Sequence, residues 1–265
     1  MSDKRFEGGS HVAIEGDGPP VVLIHGVGLD HTMWDAQVSA LAQRYTTIRY
    51  DMLGHGSTPR PDKELELADF AEQLERLCDA LELDRFALVG LSMGVLVSLK
   101  FALSKADRLT ALVLMNGVYD RTEEQLAGIR GRIAQAETEG TQALIDAALE
   151  RWLSETYRQQ NPEAVAAIRK RLESNNPADF LAAYKIFAGA DPQLTGRLSS
   201  VACPTLVTTG ELDRGSLPTM SQAMAAAIPN AECVILEGLR HLPTTEGADT
   251  VNALLLDFLD RTVPR

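Results

Sequence analysis

Apolar residues along this chain fall into short unbroken runs, separated by longer stretches in which they recur every three or four positions. Residues 21–24, 46–50, 86–89, 109–115, 205–209 and 232–236 are runs of the first kind, rich in Val, Leu, Ile and Thr. Such runs read as strands buried on both faces. Residues 31–43, 67–83, 95–104 and 250–261 are of the second kind. In 67–83, for example, Phe70, Leu74, Leu77 and Leu81 share one helical face. Apolar strands alternating with amphipathic helices predict an α/β fold: a mostly parallel sheet flanked by helices, with its site outside the carboxyl ends of the strands.

After Tyr119 the alternation stops. Residues 123–139, 141–157, 162–174 and 177–188 all carry helical patterning, and no β-rich run interrupts them before Cys203-Pro204. A long helical insertion after a strand, followed by resumed alternation, predicts a helical lid over the active edge of the sheet. The expected organisation is a core of residues 1–119 and 198–265 with a lid of residues 120–197, a single domain with an insertion. Its 265 residues suffice for one sizeable core.

Composition narrows the function. Hydrophobic residues make up 45% and charged residues 23%, as in ordinary globular proteins. The 25 Lys and Arg against 37 Asp and Glu give a net charge of −12, which repels phosphate backbones and anionic membranes, so neither nucleic acid nor a lipid surface is an expected partner. No apolar run approaches about 20 residues, and the first residues lack the apolar core of a signal peptide. Cys78, Cys203 and Cys233 are odd in number and widely spaced, and read as reduced buried thiols of a cytoplasmic protein.

Gly90-Leu91-Ser92-Met93-Gly94 follows one strand run and precedes a helical one. A serine on a sharp strand-to-helix turn, flanked by glycines that relieve crowding, has the setting of a nucleophile elbow. The helix beyond it offers backbone N–H groups to a developing oxyanion. A serine hydroxyl needs a base, and the base an orienting carboxylate. His241 is the only histidine after Ser92 and follows the 232–236 strand. The acid is expected in the loop after the preceding strand, where Gly210-Glu211-Leu212-Asp213 places Asp213 in position and leaves Glu211 as a loop-bracing carboxylate. His25-Gly26-Val27-Gly28 closes the first buried strand, and its Val27 N–H is the expected second oxyanion donor beside that of Met93. His25 and Asp51 are expected to brace their loops, and His11 and His55 to lie on the surface or in loops. No two histidines are spaced as metal ligands, and no dinucleotide or Walker fingerprint is complete, so neither metal nor cofactor is implied.

Taken together, HGVG (25–28), YDMLGHGST (50–58), GLSMG (90–94), GELD (210–213) and GLRH (238–241) resemble the α/β-hydrolase family over nearly the whole chain. Within it, the stretches 28–35, 49–56 and 90–94, the lid pair Arg151-Trp152, the strand from Cys203 and Ala231-Glu232-Cys233 are similar to 3-oxoadipate enol-lactonases. The hydrolases of aminoacrylate and of acylaminomethylene-succinates share much of this pattern. Many relatives have a glycine where this chain has Val95. The resemblance implies a serine hydrolase that cleaves a small carboxylic ester or enol-lactone with Ser92, Asp213 and His241.

The lid carries 12 acidic and 10 basic residues between Asp120 and Arg197, a net −2, while the rest of the chain carries −10. Basic groups are thus concentrated where substrate would enter, and Arg151, Arg130 or Arg158 could meet a substrate carboxylate. Arg151 beside Trp152 is the foremost substrate-binding pair; Arg214 and Arg240 adjoin the two triad partners. The expected partner is a small molecule with a carboxylate, and the expected assembly a monomer or small homo-oligomer. Two rival readings stand beside this one: cleavage of a C–C or amide-type bond by the same triad, and a non-catalytic ligand-binding receptor on the same scaffold.

Overall fold

A computed structural model describes residues 2–6 and 9–264. Eight strands form one sheet: β1 (Ser2–Arg5), β2 (His11–Glu15), β3 (Pro20–Ile24), β4 (Thr46–Tyr50), β5 (Phe86–Leu91), β6 (Leu109–Met115), β7 (Thr205–Gly210) and β8 (Ala231–Leu236), in the order β1-β2-β4-β3-β5-β6-β7-β8. From β4 to β8 neighbouring strands are parallel; β2 pairs antiparallel with both β1 and β4. This N-terminal pair was not among the expected strands. Its run His-Val-Ala-Ile-Glu is too short and polar-ended to stand out from a loop.

Before the insertion come α1 (Asp35–Leu41), α2 (Leu67–Ala80) and α3 (Met93–Lys105). The insertion between β6 and β7 holds α4 (Glu123–Glu139), α5 (Ile145–Trp152), α6 (Glu155–Gln160), α7 (Pro162–Glu173), α8 (Pro177–Ala188) and the single turn α9 (Asp191–Leu194). The chain then adds α10 (Pro218–Ala227), α11 (Pro243–Glu246) and α12 (Ala248–Thr262). The helix expected over 141–157 is broken after Trp152. Leu153 is extended, and the Ser154 hydroxyl accepts the Tyr157 N–H to start α6, a side-chain cap that ends one helix and opens the next.

The core lies on both faces of the sheet because side chains alternate along each strand. Val22, Ile24 and Leu88 pack with α2 and α3 on one face, whereas Val21, Leu23 and Val89 pack with α1 and α12 on the other. Cys78 and Cys203 are buried, but Cys233 is exposed. It sits on β8, the edge strand, where the outer residues have no neighbouring strand to cover them. Among the described residues no helix is long and apolar enough to cross a membrane.

Strand order places the functional loops. β3 is followed by β4 on one side and β5 lies on the other, so the loops leaving β3 and β5 diverge from adjacent strand ends and open a crevice. With Ile24 opposite Gly90, the 25–28 loop runs beside Ser92, and a Cβ added to Gly26 would touch the Ser92 Cβ at 3.3 Å.

Candidate active site

Ser92 joins β5 to α3 with φ 56° and ψ −112°, a left-handed conformation that costs a non-glycine residue free energy. The sheet holds it there: the Ser92 N–H donates to the Met115 carbonyl at 2.9 Å, and its own carbonyl accepts from the Val95 N–H at 3.0 Å. The flanking glycines answer to space. A Cβ at Gly90 would lie 2.4 Å from the Gly94 carbonyl oxygen, and one at Gly94 would lie 2.4 Å from that of Ile24. Val95 packs against Gly117, at which a Cβ would come within 2.5 Å of the valine side chain, so the glycine leaves room for it.

His241 lies in the loop that follows β8 and is itself buried, and its Nδ1 lies 2.7 Å from Asp213 Oδ2. Asp213 is 3% exposed, and all of its acceptor capacity is used. Oδ1 receives the Gly215 and Ser216 N–H groups at 2.8 and 3.0 Å; Oδ2 receives the Asn116 amide at 2.9 Å besides His241. Burial works to raise the Asp213 pKa, yet the facing imidazole and these donors outweigh it and hold the carboxyl below its ordinary value. An ionised carboxylate only accepts, so the shared proton belongs to Nδ1, which leaves Nε2 as the basic nitrogen. Glu211, in contrast, turns away to accept the Gly238 N–H at 3.0 Å.

These groups meet at a cavity of about 610 Å³ under the inserted helices, lined by Val27, Ser92, Arg151, Trp152, Asp213 and His241 among others. Met93 does not line it: its side chain is buried, and its backbone opens α3 beside Ser92. Among the described residues, neither the Val27 nor the Met93 N–H has a protein acceptor. The Trp152 ring lies nearly parallel to the His241 ring, with centroids 6.0 Å apart.

The arginines divide. Arg151 lines the cavity with no hydrogen bond or ion pair among the described residues; burial, together with nearby Arg132, lowers its pKa. Arg214 lines the cavity and is exposed at its rim, whereas Arg240 points to α5. Arg130 instead pairs with Glu123 on the surface, and Arg158 lies outside the cavity. Three contributors were absent from the expected set. Arg132 reaches the cavity from α4 and donates to the Tyr184 hydroxyl at 2.8 Å. Arg121 also lines it, but is committed to Asp191 and the Phe187 carbonyl. Asn116 stands at the end of β6. The sequence did carry a signal for Arg132: Gln125, Gly128, Ile129 and Arg132 all line the cavity and follow the i, i+3, i+4, i+7 spacing of one helical face.

The expectation for His11 needs correction, since it lies on β2, whereas His55 lies in the loop after β4 as expected. His55 is nevertheless 2% exposed, and burial pushes its pKa down to about 3. His25 is buried too and, as expected, braces a loop: its Nε2 accepts the Met52 N–H at 2.9 Å. His11 is half-buried, and it and His31 both turn Nδ1 toward Asp51, at 3.3 and 2.7 Å. Sequence spacing did not foresee these histidines converging, because the three residues meet through β2, β4 and the turn after β3. Asp51 also accepts the His31 and Ser57 N–H groups, so it braces both loops.

Elbow, strand order and helical insert define a class of fold, and residues 19–248 match the model of the alpha/beta hydrolase fold family. The chain belongs to that family. It is 30% identical over 255 residues, 96% of this chain and 95% of the other, to the (E)-2-((N-methylformamido)methylene)succinate hydrolase of Acinetobacter baylyi. It is 29% identical over 263 residues, 93% of each chain, to the putative carbamate hydrolase RutD of Klebsiella pneumoniae. Among solved structures, the enol-lactonase of Burkholderia xenovorans superposes with a TM-score of 0.87 at 29% identity, covering 95% of this chain and 96% of that one.

Proposed function

We propose that this protein is a serine hydrolase that cleaves a small carboxylic ester or enol-lactone through an acyl-enzyme. The observation that carries the reading is the His241–Asp213 pair at 2.7 Å, in the cavity that the strained Ser92 also lines. His241 Nε2 takes the Ser92 proton as the serine oxygen bonds to the carbonyl carbon. The Val27 and Met93 N–H groups receive the oxyanion, with the N-terminus of α3 behind them. Collapse breaks the bond to the alcohol or enol oxygen, which takes the proton back from His241. Water then enters, gives His241 its proton, and releases the acid and Ser92.

The substrate carries a carboxylate away from the reacting carbonyl. Arg151 has no ion-pair partner among the described residues and shares the cavity lining with a second cation, Arg132, which lowers its pKa, so a substrate carboxylate there would offset part of their combined charge. A second reading, hydrolysis of an amide-type C–N bond, is favoured by relatives named as succinate-derivative and carbamate hydrolases. Steady-state turnover tests both: p-nitrophenyl acetate, a carboxylated enol-lactone, a carboxylated enamide and a C–C substrate are compared with wild-type protein. The ester or lactone reading predicts the highest kcat/KM on the carboxylated lactone. A preference for the enamide would replace it with the second reading, and tight ligand retention without turnover would favour a receptor.

A further inference from the structure

The loop that carries His241 is tied to the inserted helices by a compact set of polar contacts centred on Glu246. This half-buried residue ends α11, just beyond His241. Its Oε1 accepts the Ser154 N–H at 3.1 Å and its Oε2 the Arg240 N–H at 3.2 Å. The Arg240 guanidinium reaches back to the last turn of α5, donating to the carbonyls of Glu150 and, at 3.4 Å, Leu153. There it caps orphan carbonyls and sits at the negative end of the helix. A fifth contact runs through the backbone, where the Leu242 N–H donates to the Trp152 carbonyl at 3.1 Å. On the far side, Asn116 holds the Arg240 carbonyl at 3.2 Å. The residue before His241 is therefore held at its N–H, its carbonyl and its side chain, and the residue after it at its N–H.

We propose that Glu246 is a positioning residue that fastens the junction of α5 and α6 to the His241 loop, so that the cover over the cavity and the seat of the imidazole are one mechanical unit. This rests on the reading of His241 as the base. The contacts bring together four features: the break between α5 and α6 at Leu153, the aim of Arg240 away from the cavity, the Trp152 ring lying over His241, and a carboxylate that accepts only from backbone. Both partners of Glu246 are N–H donors, so both of its oxygens must accept, which the ionised carboxylate does. A glutamine offers one acceptor and sets an NH₂ against the other N–H.

The test uses the full chain with two esters, p-nitrophenyl acetate and a carboxylated p-nitrophenyl ester. E246Q is expected to lower kcat on both by about tenfold, the scale of a small misplacement of a reacting group, with KM on the acetate unchanged. Should E246Q fold poorly, Ser154→Pro isolates the same contact. Ser154 has φ −63° and Leu153 before it is extended, so the backbone accepts proline while the N–H to Glu246 is removed. Ser154→Ala, which loses only the α6 cap, is its reference. S154P is expected to have a kcat roughly threefold below S154A, as for one lost hydrogen bond. A lowered melting temperature with unchanged kcat, or a change confined to KM, would overturn the proposal. If Ser92→Ala or His241→Ala retained activity, the proposed function itself would be at fault. If those two abolish turnover while E246Q and S154P do not alter kcat, only this proposal fails.

Discussion

Asn116 donates its side-chain amide to Asp213 Oδ2 at 2.9 Å from a left-handed backbone position, φ 50°, at the end of β6. The same nitrogen lies within reach of Thr209 Oγ1 at 3.1 Å and the Arg240 carbonyl at 3.2 Å. One amide thus joins the strand before the inserted helices, the loop of Asp213 and the loop of His241. Asn116→Gly keeps the left-handed backbone and removes the amide. Expected is a kcat about tenfold lower with little change in KM, as for a group acting on the transition state. Asn116→Asp should do more, because two adjacent carboxylates cannot both ionise cheaply, and the acidic limb of the kcat–pH profile should move to higher pH. A profile superimposable on the wild type would contradict the role.

Replacing Arg151 with Met removes the unpaired cavity cation and keeps the apolar stem. KM for a carboxylated ester should rise on the order of tenfold, the loss of a charge-assisted hydrogen bond. KM for p-nitrophenyl acetate should stay as it is. Arg132→Met should act the same way and more weakly, since Tyr184 already engages its Nε. Equal effects on both esters would remove the carboxylate from the account.

Stability should depend on pH through the buried imidazoles. Burial depresses both His25 and His55, the latter to about 3 from an ordinary value of 6.5. Their folded pKa values lie below the unfolded ones, so their contribution is complete above about pH 6.5 and is lost as pH falls toward the folded values. His31 runs the other way. Burial lowers it, but Asp51 outweighs burial and raises it, so its contribution is full below about pH 6.5 and fades as pH rises. With two groups against one, the urea midpoint should fall between pH 7 and pH 5, and His55→Met should flatten that slope. A midpoint rising on acidification would contradict the assignment.

Gly94→Ala would drive a methyl group into the Ile24 carbonyl, since the added Cβ lies 2.4 Å from that oxygen. Backbone cannot yield there without moving β3. The expected loss is ~2 kcal/mol or more of unfolding free energy, measured by urea titration. Activity per folded molecule should fall as well, because the same shift tilts the Ser92 turn.

Much of this was legible in sequence, where the information is local. Apolar runs marked six of the eight strands, and glycine-flanked loops at strand ends marked Ser92, Asp213 and His241, which the structure brings to one cavity. What escaped depends on contacts between distant segments. Asn116 looks like an ordinary residue after a strand until Asp213 and Arg240 are brought against it. His55 and His11 are polar and sit in or near a glycine-rich loop, so nothing local revealed that one is fully buried and the other faces Asp51. Arg132 was readable from the α4 face but is masked by neighbouring arginines. The break after Trp152 turns on a single serine cap within an otherwise continuous helical pattern, and that break is what places Ser154 against Glu246.

The central claim is that Ser92 is a nucleophile activated by His241. Treating the protein with a fluorophosphonate and weighing it intact tests this most directly. The account predicts a single adduct per chain, mapped to the peptide containing Ser92, absent in Ser92→Ala and slowed by at least about a hundredfold in His241→Ala. An adduct that persists in Ser92→Ala, or forms at the wild-type rate without His241, would contradict it.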